Sequence, residues 1–272
     1  MKMLEKPWGR SDISEIYGDH QGRCIGEIWF EHPDDPDFPI MLKILFTSEP
    51  LSVQVHPDDQ AARSAGLARG KDECWLILGA LPDAKVGAGL TRPCSLRKLS
   101  RTAQDGSIVD LVDWRTVMAD DVIFNPAGTI HALGSGLIIL EIQQNIDCTY
   151  RLFDYARGRP LDLDKAVSAA CRTPLAAQHR CRMQPSETQL LVDSPHFSLM
   201  HISGSSMSSA TTATTFVTQA GPALLFPFTH GCRIGEEALP MHGAALILDG
   251  EQLHLAPDAR ALLCWPTAAA LS

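Results

Sequence analysis

At 272 residues, 45% hydrophobic and 20% charged, the chain has the composition of an ordinary globular protein, long enough for one large β domain or two smaller ones. A formal net charge of −9 without a basic stripe argues against a nucleic-acid partner. No apolar run approaches the ~20 residues that span a bilayer and no signal peptide is evident, so no membrane partner and a cytoplasmic location are expected.

Turn residues punctuate the chain and leave short apolar stretches at 25–30, 40–45, 51–56, 73–78, 122–124 and 137–142 that read as strands. Short helices are expected over 58–67, behind Pro57, over 95–104 and 108–117 with a break at Gly106, and over 161–170, where Asp162 and Asp164 lie near the positive end. Beyond residue 185 the character changes. The Ser/Thr/Ala-rich stretch 203–215 reads as a loop or weak edge strand, 224–226, 244–248 and 261–265 as strands, with turns at Asp249-Gly250 and Pro257-Asp258. The expected organisation is a β domain over 1–160, a helical connection over 161–184 and a second, smaller β domain over 185–272. The eight cysteines form no CxxC pair and read as free thiols.

Alternate side chains of a strand share a face, so Ser52, Gln54 and His56 project together, as do Lys71, Glu73 and Trp75. A Pro/Gly turn at 126–128 leads into His131. Two imidazoles, a carboxylate and an amide oxygen on separate strands converge only where a sheet curls around them. Such nitrogen and oxygen ligands suit zinc and equally iron or manganese, with a coordination position left for substrate or water.

Four segments in order resemble the type I mannose-6-phosphate isomerases of the cupin superfamily: the stretch from Pro50 to Asp59, the run Lys71-Asp72-Glu73-Cys74-Trp75, the cupin-like Pro126-x-Gly128-x-x-His131, and the run from Leu140 to Asp154. Pro7-Trp8-Gly9 and Ile25-Gly26-Glu27-x-Trp29 fit as well. The resemblance implies a mainly β cupin jelly-roll barrel with short helical insertions. It implies one Zn²⁺ per chain held by Gln54, His56, Glu73 and His131, with Arg151 as the catalytic arginine and Lys71 beside the metal. Ser52 and Lys43 would contact phosphate or sugar, Glu141 would be a supporting carboxylate, and the partner would be a small sugar phosphate. Oligomeric state stays open.

The implied reaction interconverts mannose 6-phosphate and fructose 6-phosphate through an enediol. Either Lys71 with a depressed pKa or a zinc-bound water would be its base, and Lys43 with Lys71 or Arg157 would neutralise the phosphate. Alternatives are another metal-cupin enzyme and a non-catalytic sugar-phosphate-binding cupin. Three features depart from the family. Ile146 stands where a Ser or Thr is usual, the 29–38 stretch is short, and the C-terminal third is anchored mainly by Ser194-Pro195-His196-Phe197.

Overall fold

The computed structural model describes residues 1–31, 35–206, 221–248, 251–267 and 270. The expected turn at Asp249-Gly250 and positions 207–215 of the Ser/Thr/Ala-rich stretch lie outside the described residues. Strands β1 (Lys2–Arg10), β2 (Ile25–Phe30) and β3 (Ile40–Thr47) pair antiparallel in sequence order. The chain continues through β4 (Val53–Val55), α1 (Asp59–Ser64), β5 (Glu73–Ala80), β6 (Lys85–Leu90), α2 (Leu96–Asp105), β7 (Val112–Thr116) and β8 (Asp121–Asn125). Then come β9 (His131–Leu133), β10 (Leu137–Gln144), β11 (Tyr150–Phe153), α3 (Leu163–Ala169) and β12 (Arg180–Arg182).

From β3 to β10 the partners nest: β3 pairs with β10, β4 with β9, β5 with β8 and β6 with β7, all antiparallel. Nesting of this kind is a jelly roll, as expected. It yields a seven-stranded sheet, β1-β2-β3-β10-β5-β8-β12, and a five-stranded one, β11-β4-β9-β6-β7.

Alternation along the strands explains how the layers stack. Leu42, Ile44 and Phe46 of β3, Cys74 and Leu76 of β5, and Leu140 and Ile142 of β10 point to one face of the large sheet. That face packs on Phe197, Leu199, Leu224 and Phe226 of a C-terminal sheet. Its strands are drawn from β13 (Gln189–Asp193), β14 (Phe197–Ser203), β15 (Ala223–Pro227), β16 (Cys232–Ile234), β17 (Glu237–Ala238), β18 (Ala245–Ile247), β19 (Leu253–Leu255) and β20 (Arg260–Pro266). Five of them run in the order β13-β14-β20-β15-β18, and β17-β16-β19 form a small outer sheet. The opposite face of the large sheet carries Leu45, Trp75, Ile77 and Ile139, which meet Val86, Ala88 and Leu133 of the five-stranded sheet. Leu99 and Ala103 of α2 and Ala166 of α3 cover that sheet's far side.

One expectation needs correction. The helix expected over 108–117 is a single 3-10 turn, Ser107–Asp110, followed by β7. Gly106, at φ 81°, ends α2 as expected, but pairing of Gly87 with Trp114 and Val86 with Arg115 draws the next segment into the sheet. The 161–184 stretch holds α3 and also β12, which pairs with β8.

Candidate active site

Cross-strand registers set the site. On the five-stranded sheet Arg151 lies opposite Gln54, and Gln54 opposite His131. On the large sheet Trp29, Lys43, Glu141 and Trp75 stand in one row, with Gln143 and Glu73 paired in another. Lys43, Glu141 and Trp75 face Gln54, His131 and Arg151 across a cavity of about 330 Å³.

Beside it, His56, Glu73 and His131 place one potential ligand atom each within 4.8 Å of one another, and of the three His131 lines the cavity. His56 Nε2 is 3.1 Å from Glu73 Oε2, and His131 Nε2 is 3.2 Å from Glu73 Oε1. His131 Nδ1 lies 2.8 Å from the Thr129 carbonyl oxygen, which can only accept, so Nδ1 carries the proton. In the neutral ring Nε2 is then bare and faces a carboxylate oxygen. Two lone-pair atoms so placed call for a cation between them, and that carboxylate oxygen, Glu73 Oε1, is buried without a hydrogen bond. The residues present therefore fit a metal ion.

Gln54 reaches the same cluster through its amide nitrogen, 3.2 Å from His131 Nε2, while its oxygen accepts the Ser52 hydroxyl at 2.9 Å. An amide ligates through oxygen, so a half-turn of this group would be needed to make it a ligand. The Ser52, Gln54 and His56 side chains gather as expected, although the strand itself spans only Val53–Val55. The turn before β9 is tied to the cluster by the Gly128 N–H, which donates to the His56 carbonyl at 2.8 Å.

Burial, followed by repulsion from Lys71, lowers the His56 pKa to about 3, and burial lowers that of His131. Both rings are thus neutral, the form that binds metals. Burial works against the Glu73 charge, but Lys71, His131 and His56 outweigh it and hold the carboxyl well below its usual range. Burial opposes the charge of Lys71, yet in the metal-free protein Glu73 and Glu141 prevail and raise its pKa. Its Nζ lies 3.0 Å from Glu73 and 3.8 Å from Glu141. Lys43 is the lysine whose pKa is lowered, by burial and then by Lys71; it sits 3.9 Å from Glu141 and 4.3 Å from the Trp29 ring centre. Glu141 is raised by burial first, against the pull of Lys71, and its Oε2 accepts from Trp75 Nε1 at 3.2 Å.

Arg151 lines the cavity, and its buried Nε makes no hydrogen bond. Lys6, Trp8, Glu27, Asp147, Thr149 and Arg159 also line it, and sequence reasoning gave none of them a role at the site. Lys6 and Trp8 alternate on β1, a signal present in Lys6-Pro7-Trp8 but unused. Arg157, expected near the phosphate, instead donates to the Pro50 carbonyl at 2.5 Å and lies 3.7 Å from Glu49. Arg159 lines the cavity, 5.1 Å from the Trp8 ring centre, and is oriented by Asp154. Ile146 is outside the lining.

No family model matches the chain. In sequence it is similar to the mannose-6-phosphate isomerase ManA of Bacillus subtilis (strain 168), 32% identical over 206 residues that make up 69% of this chain and 65% of that protein. The mannose-6-phosphate isomerase of Streptococcus mutans is 33% identical over 204 residues, 69% of this chain and 64% of that one. The chain spans about 65% of the length of these curated relatives. The crystal structure of the mannose 6-phosphate isomerase from Bacillus subtilis shares its fold, with a TM-score of 0.71 at 21% identity over 97% of both chains. Jelly-roll sheets closing over a buried His/Glu/His cluster define a cupin-type protein with a candidate metal centre. Within that class, the sequence relatives are mannose-6-phosphate isomerases.

Proposed function

We propose that the protein is a zinc-dependent isomerase that interconverts mannose 6-phosphate and fructose 6-phosphate through an enediol. One observation carries the reading: the His56/Glu73/His131 cluster meets, through His131, a cavity lined by five cationic side chains (Lys6, Lys43, Lys71, Arg151, Arg159) against three carboxylates (Glu27, Asp147, Glu141). In a chain of net charge −9, this local excess of positive charge favours an anionic substrate. About 330 Å³ suits a hexose phosphate.

His56, Glu73 and His131 would hold Zn²⁺, with Gln54 adding its amide oxygen, and the ion when bound would supply Lewis-acid polarisation of the substrate oxygen. Arg151 adds fixed positive charge where negative charge develops on that oxygen. Lys71, 3.0 Å from Glu73, would serve as a positioning and charge-stabilising group. Glu141, a carboxyl of raised pKa outside the metal cluster, is the lining group suited to move the proton between the adjacent carbons. Ser52 and Lys43 would contact the sugar. Lys6 and Arg159, both beside the Trp8 ring, would take the phosphate, and binding energy gained there holds the reacting end in place.

A coupled assay of mannose 6-phosphate conversion, before and after chelation and after Zn²⁺ add-back, tests the reading. Activity lost with the metal and restored by zinc is expected. Folded, zinc-replete protein that binds the sugar phosphate without turning it over would overturn it, as would purified protein that holds iron and consumes oxygen.

A further inference from the structure

The Ser194-Pro195-His196-Phe197 segment has no part in the chemistry above, yet it reaches the strand that carries Glu73. His196 Nδ1 donates to Asp72 Oδ2 at 2.7 Å, and its Nε2 lies 3.4 Å from Asp59. Asp72 is buried between Lys71 and Glu73. Its other carboxylate oxygen accepts the Ala127 N–H at 2.7 Å, within the turn that leads to His131. Its own N–H donates to Gln144 Oε1 at 2.8 Å, and its carbonyl accepts the Gln144 N–H at 3.0 Å. One residue thus joins the start of β5, the turn before β9, the end of β10 and the C-terminal sheet.

The imidazole is itself held firmly. Ser194 Oγ accepts the His196 and Phe197 N–H groups at 3.3 and 3.1 Å, and the Thr267 N–H donates to the His196 carbonyl at 3.2 Å. Phe197, fully buried, packs edge-on against Phe124 at 5.9 Å, and Phe124 pairs with Cys74. Contacts from the C-terminal sheet therefore reach β5 on both sides of Glu73, a polar one at Asp72 and an apolar one through Phe124.

We infer that His196 is a positioning residue for the metal centre: by holding the Asp72 carboxylate it fixes the spacing between Glu73 and the turn that delivers His131. The inference rests on the reading of His56, Glu73 and His131 as metal ligands. Groups that orient metal ligands, here through the backbone on either side of Asp72, are felt in metal affinity rather than only in stability.

The test uses the full chain, freed of metal and titrated with Co²⁺ against a chromophoric chelator, with the cobalt absorption spectrum and the melting temperature recorded in parallel. His196→Ala should weaken Co²⁺ binding by about 10–100-fold and change the spectrum. His196→Asn, whose amide N–H can stand in for Nδ1–H, should restore most of both. His196→Gln, which reaches toward Asp59 instead, should behave like the alanine variant and serves in its place if that variant does not fold. Phe197→Leu should lower the melting temperature without weakening Co²⁺ binding. Parent-like affinity and spectrum in the Ala or Gln variant would overturn the inference, as would a Phe197→Leu variant that loses as much affinity. A parent chain that binds no Co²⁺ would instead remove the metal-centre reading, and the clamp with it.

Discussion

Glu73 is a fully buried carboxylate ringed by two neutral imidazoles and one ammonium, an arrangement that shapes the pH response of the metal-free protein. The folded His56 pKa of about 3 lies below the ordinary 6.5 of the unfolded chain. Below pH 6.5 the unfolded chain therefore binds a proton that the folded protein refuses, and stability falls as pH drops from 6.5 toward 3. His56→Gln should flatten that slope by up to about 1.4 kcal/mol per pH unit, read from urea unfolding of metal-free protein at stepped pH; parallel slopes would refute it. Arg151 sits differently, with a buried Nε that bonds to nothing in the protein. Arg151→Ala should lower kcat by about 10²–10³ with zinc content unchanged by elemental analysis. Loss of zinc in that variant would mean that the arginine supports the metal. The alternation of Ser52, Gln54 and His56 was legible because strand geometry has a fixed period. Lys6 and Arg159 were not, because a lysine or arginine becomes part of a site only through the strands brought beside it.

At the scale of elements, the link between α1 and β5 is built on close approach. A Cβ at Gly70 would lie 2.5 Å from the Asp58 carbonyl carbon and 2.6 Å from the Asp59 nitrogen. Backbone cannot rotate away as a side chain can. Lys71, the next residue, donates its N–H to the Pro57 carbonyl at 3.0 Å, so the crowding would be passed to Lys71 and Glu73. Gly70→Ala should cost about 1–3 kcal/mol in chemical denaturation and reduce bound zinc. A variant of unchanged stability would show that the segment has room to relax. Elements were legible where apolar runs are long: β2 matches the expected 25–30, and β3, β5 and β10 begin where expected and run two residues further. Residues 108–117 misled because a short apolar pattern serves a helix or a strand equally, and the register with β6 decides.

Across the whole molecule, the strand count pointed to a β fold while the nested pairing came only from resemblance, since β3 and β10 are brought together from nearly a hundred residues apart. A separation of 124 residues likewise kept Asp72 and His196 unconnected in the sequence. Nesting also sets an order of assembly. The innermost pair, β6 with β7, closes the shortest loop, and each outer pair closes a shorter effective loop once the one inside it has formed. Glu73 belongs to the second pair and His131 to the third, so the candidate ligands meet only after the roll is largely shut. A nascent chain that ends before β9 has no metal site to offer, however much zinc surrounds it. Refolding from urea should accordingly proceed at a rate independent of zinc, with metal uptake, followed by a fluorescent zinc indicator, confined to the slowest phase. Zinc that speeds the earliest phase would mean that the ion gathers its ligands before the strands do.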